Sequence, residues 1–273
     1  MSARLREVAR NTERIVAEGG YTTPGGRWAD IAEDVRRARE GTRLYGPEPV
    51  PVPQAGPVRP TVFEVTAEGS LDAARRLAAD GPPVAVLNFA SARNPGGGYL
   101  NGAQAQEEAV CRGSALYACL LQAPEYYAAH RADPSPFYSH RVIHSPGVPV
   151  FRDDRGELLE EPYTAGFLTS PAPNAGVIAR RTPEQADLIP AALAERAARV
   201  LQVAAAHGYE RLVLGAWGCG VFRNDPAQVA AAFAGHLKGA GRFAGRFEHV
   251  VFAVLDRQPH SANRAAFTGV FAG

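Results

Sequence analysis

Three runs of sequence decide how the chain is read: Val84-Ala-Val-Leu-Asn-Phe-Ala90, Ser91-Ala-Arg-Asn-Pro-Gly-Gly-Gly-Tyr99 and Gln106-Glu-Glu-Ala-Val-Cys-Arg-Gly-Ser-Ala-Leu-Tyr-Ala-Cys-Leu120. The first is short and apolar, which predicts a buried strand. Asn94-Pro95-Gly96-Gly97-Gly98 ends it. Lacking a Cβ, the glycines can take positive φ and let a ligand approach bare backbone. Asn101-Gly102 predicts a turn. From Gln106 onward, Val110, Leu116, Leu120 and Leu121 fall near helical spacing and predict one continuous helix. Gln106, Glu107 and Glu108 then stand at the mouth of a helix just past a glycine loop. Strand, glycine loop and helix N-terminus together make an anion-binding arrangement.

Working outward, residues 3–18 read as an amphipathic helix with a stripe of Leu5, Val8, Ile15 and Val16, stopped by Gly19-Gly20. A second helix is predicted near Trp28–Leu44, carrying Ile31, Val35 and Leu44. Residues 46–60 hold too many prolines for a helix or a central strand. The expected organisation is therefore a helical accessory segment at 1–45, a proline-rich connector at 46–60 and a main domain at 61–273. Deleting residues 1–45 should, on this division, leave a folded body. Thr61–Thr66 is strand-like, with Ser70 as cap of a helix Leu71–Asp80. Pro124–Pro136 reads as turn-rich. Short strands are predicted at Arg141–His144, Val148–Arg152 and Gly166–Ser170, with a hairpin turn at Asp153–Gly156. Thr182-Pro-Glu-Gln starts a helix that runs to His207-Gly208. Arg211–Leu214 is a strand entering Gly215–Pro226, followed by a helix Pro226–Lys238 and a buried strand in Phe247–Leu255. Strands alternating with helices argue for an α/β sandwich with a parallel or mixed sheet.

The 273 residues suit one large domain or one domain with an appendage. An apolar fraction of 46% and a charged fraction of 21% are those of a globular protein. A formal charge of +1 argues against a broad electrostatic platform for nucleic acid, so no direct nucleic-acid binding is expected. The N-terminus has no apolar core of a signal peptide, and no apolar run approaches the ~20 residues of a membrane span. Three cysteines without close pairing suit a reducing compartment, and the cytoplasm is the expected location. On a single helix, Cys111 and Cys119 would lie about 12 Å apart, too far for a disulfide.

Two glycine loops, Gly96–Gly98 and Gly215–Phe222, each follow a strand and precede a helix. Both should lie at the carboxyl edge of the sheet, where α/β proteins bind ligands. Gly218-Cys-Gly-Val-Phe-Arg is no dinucleotide fingerprint, since Arg223 takes the place of its third glycine, and the chain has no P-loop. The ligand is expected to carry phosphate held by backbone N–H groups. Glu107 and Glu108 admit two readings: acidic residues that suit a helix's first turn, or a functional pair. Adjacent helical side chains diverge by about 100°, so they should not clamp a scissile bond from opposite sides. In the functional reading one carboxylate transfers protons and the other holds substrate. A helix N-terminus lowers a carboxylate's pKa where a general acid wants it raised. Cys219 is read as a small side chain that fits a phosphate loop, not a nucleophile. The histidines and cysteines show no metal-ligand spacing.

Gly96-Gly97-Gly98, seven residues, then Gln106-Glu107-Glu108 resembles the signature of the poly(ADP-ribose) glycohydrolases, compact bacterial branch. Gly215–Phe222 resembles the family's diphosphate-binding loop, and Pro173-Asn174 and Val250–Asp256 are similar as well. The resemblance covers residues 60–273, with N-terminal helices as an accessory. It implies a macrodomain-like three-layer α/β/α sandwich with a mixed sheet, binding ADP-ribose and hydrolysing the ribose–ribose bonds of poly(ADP-ribose). In that role Glu108 would be the acid–base and Glu107 would hold ribose hydroxyls. Gln106 would orient the pair, while Asn94 and Gly96–Gly98 would line the ribose site. Gly218, Cys219, Gly220, Val221 and Phe222 would cradle the diphosphate, with Phe222 against the reacting ribose. No metal or cofactor is implied, and poly-ADP-ribosylated proteins are the expected macromolecular partners. The alternative is a non-catalytic module that binds ADP-ribose without cleaving it.

Overall fold

The computed structural model describes residues 2–53, 60–79, 81–256 and 260–272. In chain order the elements are α1 (Ala3–Glu18), β1 (Gly20–Thr22), β2 (Trp28–Asp30), α2 (Ala32–Gly41), β3 (Arg43–Tyr45), β4 (Val62–Thr66) and α3 (Ser70–Ala78). The central unit is β5 (Val84–Phe89), α4 (Gln106–Gly113), α5 (Leu116–Leu120) and α6 (Pro124–Ala132). Then come β6 (Val142–Arg152), β7 (Leu158–Ser170), α7 (Ala175–Arg181), α8 (Ile189–Ala206), β8 (Arg211–Leu214), α9 (Pro226–Leu237), β9 (His249–Ala253) and α10 (Ala262–Phe271). Among the described residues, no helix is long and apolar enough to cross a membrane.

Seven strands form one sheet in the order β3-β6-β7-β5-β8-β9-β4. The pairs from β7 through β5, β8 and β9 to β4 are parallel, whereas β3–β6 and β6–β7 are antiparallel. The sheet is therefore mixed, with its parallel half built from strand–helix–strand units. Successive side chains of β5 point to opposite faces. Val84 and Val86 join the core under α1–α6, and Ala85 and Leu87 join the core under α8–α10. A strand apolar on both faces belongs in the middle of such a sandwich. The architecture is the expected three-layer α/β/α sandwich, macrodomain-like in form.

Several elements differ from the sequence reading, each for a local reason. The expected single helix from Gln106 breaks at Gly113-Ser114, because Ser114 bridges to Val150 and the Ala115 amide donates to the Pro149 carbonyl on β6. Pro124–Ala132 is helical, with proline at its first turn where a missing N–H costs nothing. The second helix is shorter than expected: Trp28 lies in β2 and Leu44 in β3, at the edge of the main sheet. Val142–Arg152 is one strand with a register shift between Ser145 and Val148, in place of the two short strands that the pattern predicts. Gly69, not Ser70, caps α3; the predicted end of that helix, Asp80, and residues 54–59 of the connector lie outside the described residues.

The N-terminal segment packs on the main body with a shared core. Ala9, Ile15, Ile31 and Val35 belong to the same apolar cluster as Val84 and Val86. Thr12 donates to the Arg112 carbonyl at 2.7 Å, and a guanidinium nitrogen of Arg152 bonds Asn11. Removing residues 1–45 would strip a sheet strand and these side chains. The truncated chain is therefore expected to aggregate, the opposite of the outcome read from the proline-rich connector.

Candidate active site

β5 and β8 are neighbours in register from Val84–Arg211 to Val86–Val213, so the loops that leave them share one edge of the sheet. Beyond Val86, β5 outruns β8. The side chain of Gln106 takes up the exposed strand edge: its Oε1 accepts from the Phe89 amide at 2.9 Å, and its Nε2 donates to the Leu87 carbonyl at 2.9 Å and to Ser70 Oγ at 3.1 Å. A carboxamide, donor and acceptor at once, thereby replaces a missing strand partner. It fixes the start of α4 against the end of β5, in a helix whose N-cap, Ala105, has no side chain to offer.

That anchoring places Glu107 and Glu108 side by side under the glycine loop, with only 3% and 8% of their surface exposed. Glu107 Oε1 accepts from Asn88 Nδ2 at 3.3 Å, and Oε2 accepts from the Ser91 amide at 2.6 Å. Asn88 Nδ2 also donates to Thr169 Oγ1 on β7, at 3.2 Å. Glu108 Oε1 accepts from the Gly98 amide at 2.8 Å. Its Oε2 is buried with no hydrogen-bond partner among the described residues. Native proteins rarely leave such an atom unpaired, which costs about 1–3 kcal/mol, and those that do often need it for function.

Gly96 and Gly97 adopt φ of 64° and 58°, a conformation that L side chains avoid. A Cβ on Gly97 would sit 2.6 Å from Glu108 Oε1 and 3.1 Å from Glu107 Oε2. The two carboxylates therefore converge on one spot beneath the loop, although their helix positions diverge. Burial, reinforced by the charge of Glu108, pushes Glu107 up to about 8, against the hydrogen bonds from Ser91, Asn88 and Gly96 that favour its anion. Burial thus outweighs the helix N-terminus at Glu107. One turn on from Glu108, the Arg112 guanidinium is buried and donates to the Ala103 carbonyl at 2.8 Å.

The second loop is built differently. Gly218 has φ of 71°, and a Cβ there would meet Asn224 Nδ2 at 2.5 Å and Ala172 Cβ at 2.6 Å. Asn224 Nδ2 staples the loop to the Pro173 carbonyl at 2.8 Å. The Cys219, Arg223 and Asn224 amides are used inside the loop, and the Phe222 carbonyl accepts from the Gly176 amide at 2.9 Å. The amides of Gly218, Gly220, Val221 and Phe222 meet no protein acceptor among the described residues. A run of free N–H groups in a turn is an anion nest. Burial pushes the Cys219 thiol up to about 12, far from a reactive thiolate. The Phe222 ring lies 5.9 Å from that of Tyr138, itself at a positive φ of 59°.

Of the residues singled out from sequence, Gln106, Glu107, Glu108, Gly97 and Gly98 make one cluster, and Gly218–Phe222 form the loop of the adjacent strand. Asn94 is exposed and acts here through its backbone, its carbonyl accepting from the Gly97 amide at 3.0 Å. Sequence reading missed Asn88, Ser91, Thr169 and Ser70. Only Asn88 left a signal, as the one polar residue in an otherwise apolar strand.

Comparison with known proteins gives concordant matches. The family described as microbial-type PARG, catalytic domain, matches residues 9–153. The crystal structure of poly(ADP-ribose) glycohydrolase from Thermomonospora curvata is 53% identical, with a TM-score of 0.92 over 99% of this chain and 100% of that one. The same enzyme bound to the inhibitor ADP-HPD matches at 53% identity and a TM-score of 0.90, over 98% and 99% of the two chains. Poly(ADP-ribose) glycohydrolase from Deinococcus radiodurans in complex with ADP-ribose is 49% identical, with a TM-score of 0.80 over 86% of this chain and 96% of that one. No curated protein sequence matches.

Proposed function

The chain belongs to the microbial-type poly(ADP-ribose) glycohydrolases, and from that premise we propose that it hydrolyses the ribose–ribose O-glycosidic bonds of poly(ADP-ribose), releasing ADP-ribose. The observation that carries the reading is the acidic pair folded onto Gly97, with both Glu107 oxygens committed and one Glu108 oxygen free. Glu108 is the acid–base. It protonates the leaving ribose oxygen as the C–O bond breaks and an oxocarbenium ion develops, then takes a proton from the attacking water. Glu107, whose pKa burial raises, holds ribose hydroxyls on the lone pairs that its bonds to Asn88 and Ser91 leave over. Gln106 fixes the height of both carboxylates relative to β5.

Asn94 and Gly96–Gly98 line the ribose site. The free amides of Gly218, Gly220, Val221 and Phe222 bind the diphosphate, Cys219 serving as a small side chain within that loop. The Phe222 ring packs on the reacting ribose. The partners are ADP-ribose, its polymer and proteins that carry it. A cytoplasmic setting is supported by three cysteines that are all free.

The test is incubation of the protein with purified polymer and resolution of the products by size. Release of ADP-ribose is expected. A protein that binds polymer and releases nothing would instead be a reader of ADP-ribose.

A further inference from the structure

The loop that covers the acidic pair is held from behind by the first helix of the chain. After Gly98 the backbone makes a single 3-10 turn, Tyr99–Asn101, before Gly102. Tyr99 is fully buried. Its hydroxyl donates to Glu13 Oε1 at 2.9 Å and lies 3.2 Å from the Ala9 carbonyl, both on α1. The Ser2 amide, at the cap of α1, donates to the Gly102 carbonyl at 3.0 Å. The Tyr99 ring packs 5.1 Å from that of Tyr117, whose edge lies 3.0 Å from where a Gly96 Cβ would stand. On the front of the turn the Gly98 amide, one residue before Tyr99, is the protein's donor to Glu108 Oε1.

Two successive glycines at positive φ have the widest backbone freedom a chain can have. Such a loop cannot hold a carboxylate in place by its own stiffness, so its rigidity must come from what it packs against. A phenylalanine ring would fill the Tyr99 pocket equally well; what the hydroxyl adds is a charge-assisted bond that fixes the turn to α1. We propose that Tyr99, braced by Glu13, is a positioning residue for Glu108, and that α1 is in this way part of the active site. A misplacement of about 1 Å at a reacting group can cost on the order of 10²-fold in rate, so a small drift of the turn is felt in turnover before it is felt in folding.

The inference rests on the glycohydrolase reading for its kinetic test but not for its structural one. In Tyr99→Phe, kcat on polymer should fall about tenfold. KM and ADP-ribose affinity should stay within about twofold, since ground-state contacts are kept. Glu13→Ala should match it, and Glu13→Gln, which keeps an acceptor for the hydroxyl, should restore turnover. The double variant Tyr99→Phe/Glu13→Ala should be no slower than either single one, because both remove the same bond. Amide hydrogen exchange at residues 96–103 should quicken in Tyr99→Phe and Glu13→Ala but not in Glu13→Gln. Wild-type kcat in Tyr99→Phe would overturn the proposal. So would a parallel fall of kcat, affinity and melting temperature in every variant, Glu13→Gln included. If the wild type cleaves no polymer, the glycohydrolase reading fails on its own, and unchanged exchange at residues 96–103 in Tyr99→Phe would still overturn the positioning role.

Discussion

The two glycine loops leave neighbouring parallel strands and spend their backbone in opposite ways. Around Gly96–Gly98 the amides are committed inward: Gly98 to Glu108, Ser91 to Glu107, Gly97 to the Asn94 carbonyl. Around Gly218–Phe222 four amides stay uncommitted, and Val221 stands 75% exposed. On the proposed reading the first loop is finished without a ligand and the second is completed by one. Proton transfer needs groups whose positions are settled in advance, whereas anion binding needs donors held in place but left unspent. The contrast assigns turnover to one loop and affinity to the other, and each substitution below sets one against the other.

The largest effect should come from Glu108→Gln, which keeps size and hydrogen bonding but exchanges no proton at neutral pH. Loss of general acid–base function costs about 10²–10⁴-fold, and one residue serving both half-steps puts the loss near the upper end. ADP-ribose should still bind when titrated calorimetrically, because the amides proposed to hold the diphosphate lie on the other loop. Cleavage at close to the wild-type rate would sink both the mechanism and the division of labour.

Gly97→Val comes next. At φ of 58° and with Glu108 Oε1 at 2.6 Å, the new Cβ must push the carboxylate aside. Turnover should fall on the order of 10²-fold and ADP-ribose binding should weaken. The circular dichroism spectrum should be retained. Unchanged kinetics and affinity would remove this loop from the site.

Gly218→Val is the counterpart on the binding side. Its Cβ would strike Asn224 Nδ2 and Ala172 and tilt the free amides. ADP-ribose affinity should fall about tenfold, or ~1.4 kcal/mol, with a smaller change in kcat. A variant that lost kcat but kept its affinity would reverse the assignment of the two loops.

The last effect is on stability and leaves kinetics aside. Glu107 rises from an unfolded value of 4.5 to about 8 when folded, so its proton favours the folded state. That contribution is full below pH 4.5 and is lost as pH climbs through 8. Glu107→Gln does not titrate. Its melting temperature minus that of the wild type should therefore increase across this window and level off above it. Asp154, which burial raises to about 6, responds in the same sense but equally in both proteins, and so cancels. A difference that does not change with pH would show that Glu107 is an anion throughout.

What the sequence disclosed follows the range of the interactions involved. The strand, the glycine loop and the helix start at Gln106 are local patterns, and they stand where they were read. Asn88, Ser91, Thr169 and Ser70 entered the site through contacts between elements far apart in the chain, which no periodicity announces. Tertiary pairing also cut the helix at Ser114, because a bridge to Val150 on β6 outweighed the spacing of Leu116 and Leu120. Pro124–Pro136 reads as turn-rich from its composition, yet Pro124, at a first turn, starts a helix. The connector drew attention to composition, while the burial of Ile15 and Ile31 that ties the N-terminal helices to the body could only be seen once folded.

The carboxamide of Gln106, finally, sets a spelling rule for the chain. Its oxygen faces an N–H on Phe89, and its nitrogen faces oxygens on Leu87 and Ser70. Glutamate has the same outline but offers oxygen on both sides, so it would turn one attraction into a repulsion with a carbonyl. Asparagine carries the right pair of atoms on a stem one carbon too short. Of these three side chains only glutamine satisfies that place, and the two acidic residues after it inherit their address from it.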